Sequence, residues 1–261
     1  FPRSADETLR VIEAAAEENL SITARGAGTG LAGGAVGDGL IIDFSRHNQA
    51  IKNLNIDERT VHVEAGVVLD QLNTFLRPHG LRFGPDVATS SRATLGGMIN
   101  NNSSGSHVPI YGTTVESVRS LDVILANGTK ATVGRGLDGL KDMEKTVGRV
   151  VLRNTDHVNE NMPPGLLKRW AGYGLDRWMR NSADLTRMIS GSEGTLAIVT
   201  GAEHVFVYDL EENRTWLLLP ENEVSLQIKN RQRNEEARRM ELSAPPEEVT
   251  YTGVALSAEE V

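Results

Sequence analysis

The chain has 261 residues, 39% of them hydrophobic and 24% charged, with a formal net charge of −8 and no cysteine. That acidity, with Lys and Arg scattered rather than striped, argues against a nucleic-acid partner, and no apolar run approaches membrane-spanning length. The missing cysteines exclude disulfides, thiolate metal sites and a Cys nucleophile, and fit a reducing, cytoplasmic setting. The abrupt opening "FPRSADE" reads as the interior of a longer protein, so the lack of a leader segment carries little weight.

In chain order, Ser4 and Glu7 form a capping-box pattern, and Leu9, Ile12 and Ala16 recur at helical spacing, which predicts a helix over 5–18. Strands are expected at 20–24, at 39–45 and, from the alternation of Val61, Val63 and Ala65, at 60–66. Val68, Leu69, Leu72, Phe75 and Leu76 form a helical stripe closed by Pro78 and Gly80. From residue 84 the texture turns to Gly, Asn and Ser. Residues 119–133 then read as a hairpin, with Asn127-Gly128 in a type I′ turn. Residues 135–183 are expected to be helical in part, with a break at Pro163-Pro164-Gly165, and 191–207 returns to strand. The acid-rich tail, 208–261, shows no clear core pattern, and "NRQRNEEARRMELS" reads as a charged, solvent-facing helix.

The first stretch with chemistry in it is "RGAGTGLAGG", residues 25–34. Gly28, Gly30 and Gly33 match the G-x-G-x-x-G pattern of dinucleotide sites, but that site needs a helix directly after the turn and an acidic residue roughly 20 positions on. Here a strand starts at Leu40 and Asp43 arrives too early, so the match fails on context. Two readings stay open: a flexible turn, or a nest of backbone N–H groups converging on a phosphate. Arg25 would anchor that loop or neutralise the anion, and Thr29 would add a hydroxyl. A second small-residue loop, "PDVATSSRATLGGMINNNSSG" (85–105), and a third, "GSEGTLAIVT" (191–200), suggest one extended ligand across all three.

These motifs, with "YGTT" after the second, occur in an order that resembles the FAD-binding domain of the vanillyl-alcohol oxidase (PCMH-type) flavoproteins. The nearest look is to the FAD-linked dehydrogenases of glycolate, D-lactate and D-2-hydroxyglutarate. The resemblance covers roughly 1–207. It implies an α+β fold of two subdomains, matched by 1–83 and 84–207, with FAD between them. It also implies that Arg25, Gly26, Ala27, Gly28, Thr29 and Gly30 wrap the pyrophosphate. Pro85, Asp86, Thr94, Gly96, Gly97, Asn101, Asn102 and Gly105 would line the FAD path, and Glu193, Gly194, Ile198 and Val199 would complete it. Covalent relatives carry flavin on a His in the first loop; Thr29 stands there, so non-covalent FAD is expected.

What the resemblance implies for activity is oxidation of a 2-hydroxy acid, with a quinone, a cytochrome, an electron-transfer protein or oxygen as acceptor. Of six histidines, His107 alone sits in a flavin loop, and Lys168 and Tyr173 match a relatives' motif that Leu167 and Ala171 depart from. No metal site is expected. The "H-x-G-D-G-N-x-H" motif of the relatives' C-terminal cap is absent, which points to a cap or partner subunit outside this chain. Two alternatives stand beside the enzyme: an FAD module inactive on its own, and a non-redox protein that binds a phosphate ligand.

Overall fold

The computed structural model describes residues 1–134, 137, 139–162, 172–181 and 184–209. The Pro163–Gly165 break, Lys168 and all of the tail after Asp209 lie outside the described residues.

Helix α1 (Ala5–Glu17) begins where the sequence predicts. The Ser4 hydroxyl accepts the Glu7 N–H at 3.2 Å, whereas the Glu7 carboxylate reaches one residue further back, to the Arg3 N–H at 2.7 Å. Strands β1 (Ile22–Arg25) and β2 (Leu40–Asp43) then pair in parallel. A parallel pair needs a long crossover, commonly a helix. Here the glycine loop itself is the crossover, with turns and no helix between Gly26 and Gly39. Ile12, Ile42 and Phe44 bury with Ala65 and Ile124 to join this small layer to the rest.

The second sheet runs β3-β4-β8-β6-β7, with β5 paired to β8. Its strands are β3 (Ile51–Asn55), β4 (Thr60–Glu64), β5 (Leu81–Phe83), β6 (Ser120–Ile124), β7 (Lys130–Gly134) and β8 (Ile198–Asp209). β8 is its spine, pairing antiparallel with β4, β5 and β6 in turn. Chain on both sides of residue 83 therefore shares one sheet. Val61 and Val63 are buried while His62 between them and Glu64 after them are half-buried, as the alternation predicts. Helix α2 (Leu69–Leu76) buries Leu69, Leu72 and Leu76, each contributing about 2 kcal/mol. Phe75 points outward instead, 39% exposed, because it falls one position off that face.

The hairpin between β6 and β7 forms, but its turn is not type I′. Only Gly128, at φ 82°, is left-handed; Asn127 is not. The Leu125 N–H bonds Thr129 O and the Gly128 N–H bonds Leu125 O, a three-residue loop with glycine in the left-handed position. Helices α3 (Leu95–Asn101), α4 (Val108–Tyr111), α5 (Lys141–Arg153), α6 (Thr155–Asn161), α7 (Leu175–Asn181) and α8 (Leu185–Ile189), with 3-10 turns at Arg77–His79 and Thr114–Ser117, complete the described elements. Three of them lie in the 135–183 segment expected to be partly helical. Residues 191–197 are turns, and strand resumes only at Ile198. No described helix is long and apolar enough to cross a membrane.

Candidate functional site

The three small-residue loops meet. A Cβ on Gly26 would collide with the Thr94 hydroxyl, so the first loop lies directly on the second. The Asn101 amide donates to Glu193 Oε1 at 2.8 Å, and the Glu193 N–H donates to Asn100 O at 2.9 Å, which ties the second loop to the third. Glu193 Oε2 stands 3.7 Å from where a Gly34 Cβ would be, closing the triangle. Glu193 holds this place with φ 54°, a left-handed backbone that a non-glycine residue adopts only when its surroundings enforce it.

Each loop is braced from behind. Both Arg25 Nε and Nη2 donate to Asp43 Oδ2, at 3.1 and 3.0 Å. Arg25 is therefore an anchor, its charge already committed across β1 and β2. Thr94 caps α3 by accepting the Gly97 N–H at 3.3 Å, and the Gly96 N–H donates to Ala65 O at 2.8 Å. Asn102 is left-handed and spends its side-chain oxygen on the Val115 N–H. Beyond these braces, the first loop faces outward. Gly28 has φ 67°, and among the described residues the N–H groups of Ala27, Gly28, Thr29 and Gly30 have no backbone partner. Consecutive free donors beside small residues are what an oxyanion needs.

Asp86 organises the far end of the second loop. Its carboxylate accepts the His107 N–H at 3.1 Å, the Ser106 hydroxyl at 2.9 Å and a contact from His107 Nδ1 at 2.9 Å. Burial pushes its pKa up, but the Ser106 and His107 bonds outweigh that and hold it below the usual aspartate range. A Cβ on Gly105 would run into Asp86, and Pro85 is buried beside it. His107 itself is half-buried, with Nδ1 engaged and its ring 6.1 Å from that of Tyr111. Tyr173 is exposed and its hydroxyl lies 2.9 Å from that of Thr195, next to the third loop.

Two expected positions are not presented as side chains. Val199 is 3% exposed and pairs with Val123 in the sheet, and Ile198 packs on the small core beneath β1 and β2. Sequence reasoning passed over two polar atoms on these loops. Asn100 Oδ1 and Ser192 Oγ are buried with no hydrogen-bond partner among the described residues. Orphaned buried acceptors and donors call for a ligand or water. The only signal for Asn100 was its place at the head of the Asn100-Asn101-Asn102 run.

Asp43 shows how the bracing depends on pH. Burial raises its pKa, while the Ser45 hydroxyl and N–H and the Arg25 guanidinium together lower it below the usual value. Its contribution is thus full above the unfolded aspartate pKa of about 3.9 and is lost as pH falls through the depressed folded value. Asp43→Asn should cost about 1 kcal/mol at neutral pH, limited by solvent screening, in denaturant titrations. The gap to the parent should narrow near pH 3; an equal gap at both pH values would rule this out.

Residues 1–134, half the chain, match the family model described as FAD binding domain. The chain belongs to that FAD-binding family. The donors, orphaned polar atoms and glycine approaches above fit such a ligand. This FAD-binding domain is 35% identical to the D-2-hydroxyglutarate dehydrogenase of Haemophilus influenzae, over 88% of the chain and 23% of that protein. It is 37% identical to the Escherichia coli protein of the same name, over 77% and 21% respectively. Identity to the glycolate oxidase subunit GlcD of Bacillus subtilis is 35%, over 85% and 39%. The FAD-binding domain thus spans under a quarter of the two dehydrogenases. Its fold matches alkyldihydroxyacetonephosphate synthase with a TM-score of 0.55 at 21% identity, covering 80% of this chain and 31% of that one. With 6-hydroxy-D-nicotine oxidase the TM-score is 0.54 at 18% identity, over 79% and 35%. The α+β architecture expected from the sequence is the one this chain shares with both.

Proposed function

We propose that this chain is the FAD-binding portion of an oxidoreductase that oxidises the hydroxyl of a small 2-hydroxy acid, with FAD held non-covalently. The observation that carries the reading is the convergence of the three loops on outward-facing backbone donors. In it, residues 1–83 supply one side of the FAD path and 84–207 the other.

The flavin, when bound, supplies the acceptor for hydride from the carbon that bears the hydroxyl. The chain's own residues bind and orient. Ala27 to Gly30, with Gly26 pressed on Thr94, offer N–H groups to the pyrophosphate, and Arg25 holds them in place through Asp43. Pro85, Asp86, Gly96, Gly97, Asn101, Asn102 and Gly105 line the path, Glu193 and Gly194 clasp it, and Ile198 and Val199 support that clasp from the sheet. Because Asp86 occupies His107 Nδ1, Nε2 is the ring nitrogen left to take a hydroxyl proton. Lys168 and Tyr173 are the other candidates. A hydroxy acid is the donor, and a quinone, cytochrome, electron-transfer protein or oxygen takes the electrons. The compartment we infer is the cytoplasm.

A second reading is favoured by the chain's spanning 23% of the Haemophilus relative and by the absent His-rich motif. On it, the chain holds FAD but needs a cap or partner subunit to oxidise anything. Anaerobic addition of glycolate, D-lactate or D-2-hydroxyglutarate to the flavin-loaded chain separates the two. Bleaching of the flavin bands is the expected result for the enzyme. Bleaching by dithionite alone would favour the module.

A further inference from the structure

A cavity of about 430 Å³ is lined by Asp70, Asn73, Thr74, Arg77, Leu81 and Arg82, none of them among the residues assigned to FAD, although the Asp70 N–H donates to Ser90 O at the edge of the second loop. Its walls follow from local sequence. Asp70, Asn73, Thr74 and Arg77 are spaced i, i+3, i+4 and i+7, so they share the polar face of α2 and the turn that continues it. Gly80, at φ 69°, reverses the chain and lays β5 beside that face. Asn73 then fixes strand to helix by accepting the Phe83 N–H at 2.8 Å.

The charges in this cavity are not satisfied internally. Neither Arg77 nor Arg82 makes an ion pair with a described residue, on a chain with 35 acidic and 27 basic side chains. Arg82 is pre-set: its guanidinium carbon sits 5.6 Å from the centroid of the buried Tyr111 ring, and its Nε makes only a long 3.5 Å contact with Phe83 O. The Asn73 amide group, with its oxygen already used, keeps its N–H donors for a ligand, and Thr74 adds a hydroxyl. Asp70 is the one carboxylate on the lining.

We propose that the cavity between α2 and β5 binds a free acidic amino acid. Two guanidiniums and one carboxylate complement two carboxylates and one ammonium, group for group and with charge balanced. A cavity of this size suits a small molecule, and a lone phosphate would leave Asp70 facing like charge. The site uses none of the residues assigned to FAD, so its test stands apart from the FAD reading.

Calorimetric titration of the whole chain with L-glutamate and L-aspartate tests this, with glutarate and inorganic phosphate as comparisons. Saturable millimolar or tighter binding is expected, weakened on the order of tenfold by Arg77→Gln and by Arg82→Gln. Asp70→Asn should weaken glutamate while sparing or strengthening glutarate. Arg77→Gln lies on an exposed turn and should keep the parent's circular dichroism and melting temperature. No heat with either amino acid, indifference to Arg77→Gln, or equal affinity for glutarate, phosphate and glutamate would each overturn the proposal.

Discussion

Gly28→Val is expected to leave the fold standing and abolish FAD retention. Nothing crowds the position, since the nearest atom to a Cβ there is Arg25 Cδ at 3.9 Å. The damage comes from the backbone. At φ 67° a β-branched residue is strained by about 1–3 kcal/mol, and the loop escapes by turning toward negative φ. That rotation swings the neighbouring N–H groups off the pyrophosphate, and each charge-assisted bond lost is worth about 1.5–3 kcal/mol. The drop in FAD affinity should be on the order of a hundredfold or more, read by fluorescence titration. Because the loop is exposed and its donors are unshared, the melting temperature without FAD should hardly move. Stoichiometric FAD in the purified variant would remove the first loop from the site.

Gly96→Val should do the opposite and fail as a fold. Gly96 is buried at the start of α3, where a Cβ would stand 2.7 Å from Ala65 Cβ and 2.9 Å from Ala65 O. That oxygen is also the acceptor of the Gly96 N–H, so the helix cannot withdraw without breaking a buried bond. Ala65 in turn donates to Thr200 O on β8, so the push is transmitted into the spine of the sheet. Overpacking against backbone with a lost hydrogen bond predicts about 3 kcal/mol or more of destabilisation in urea titrations. Gly97→Ala, one residue on and exposed, meets only the Thr94 hydroxyl at 3.2 Å and should cost far less. Equal losses for the two variants would mean that the contact with Ala65 is not what requires glycine.

The contrast between these neighbours shows what sequence could and could not foresee. Local period was enough for α1, β1, β2, β4 and α2, because each carries its own apolar face. β3 was invisible: "IKNLN" holds two apolar residues among polar ones, and its pairing with β4 is irregular between Lys52 and Asn55. The hairpin was legible but its turn was not, since Asn-Gly fits more than one loop length and only the Leu125–Thr129 bond decides. The absence of a helix after Gly33 removed the strand–turn–helix reading of the G-x-G-x-x-G pattern, and no helix stands there. In the structure the same loop serves as the crossover between parallel strands. The clasp itself lay beyond reach. Asn101 and Glu193 are 92 residues apart, and nothing near Glu193 announces a left-handed backbone. Nor does composition reveal that Arg25 is paired with Asp43, which favours the anchoring role over the phosphate-neutralising one of the two the sequence left open.

The most direct test of the central claim, that three loops converge to hold dissociable FAD, is the flavin content of the purified chain after saturation with FAD. Oxidised-flavin absorbance in stoichiometric amount, passing wholly into the supernatant when the protein is denatured and precipitated, is the predicted result. A chain that emerges colourless from saturating FAD, or a pellet that keeps the yellow, would contradict it.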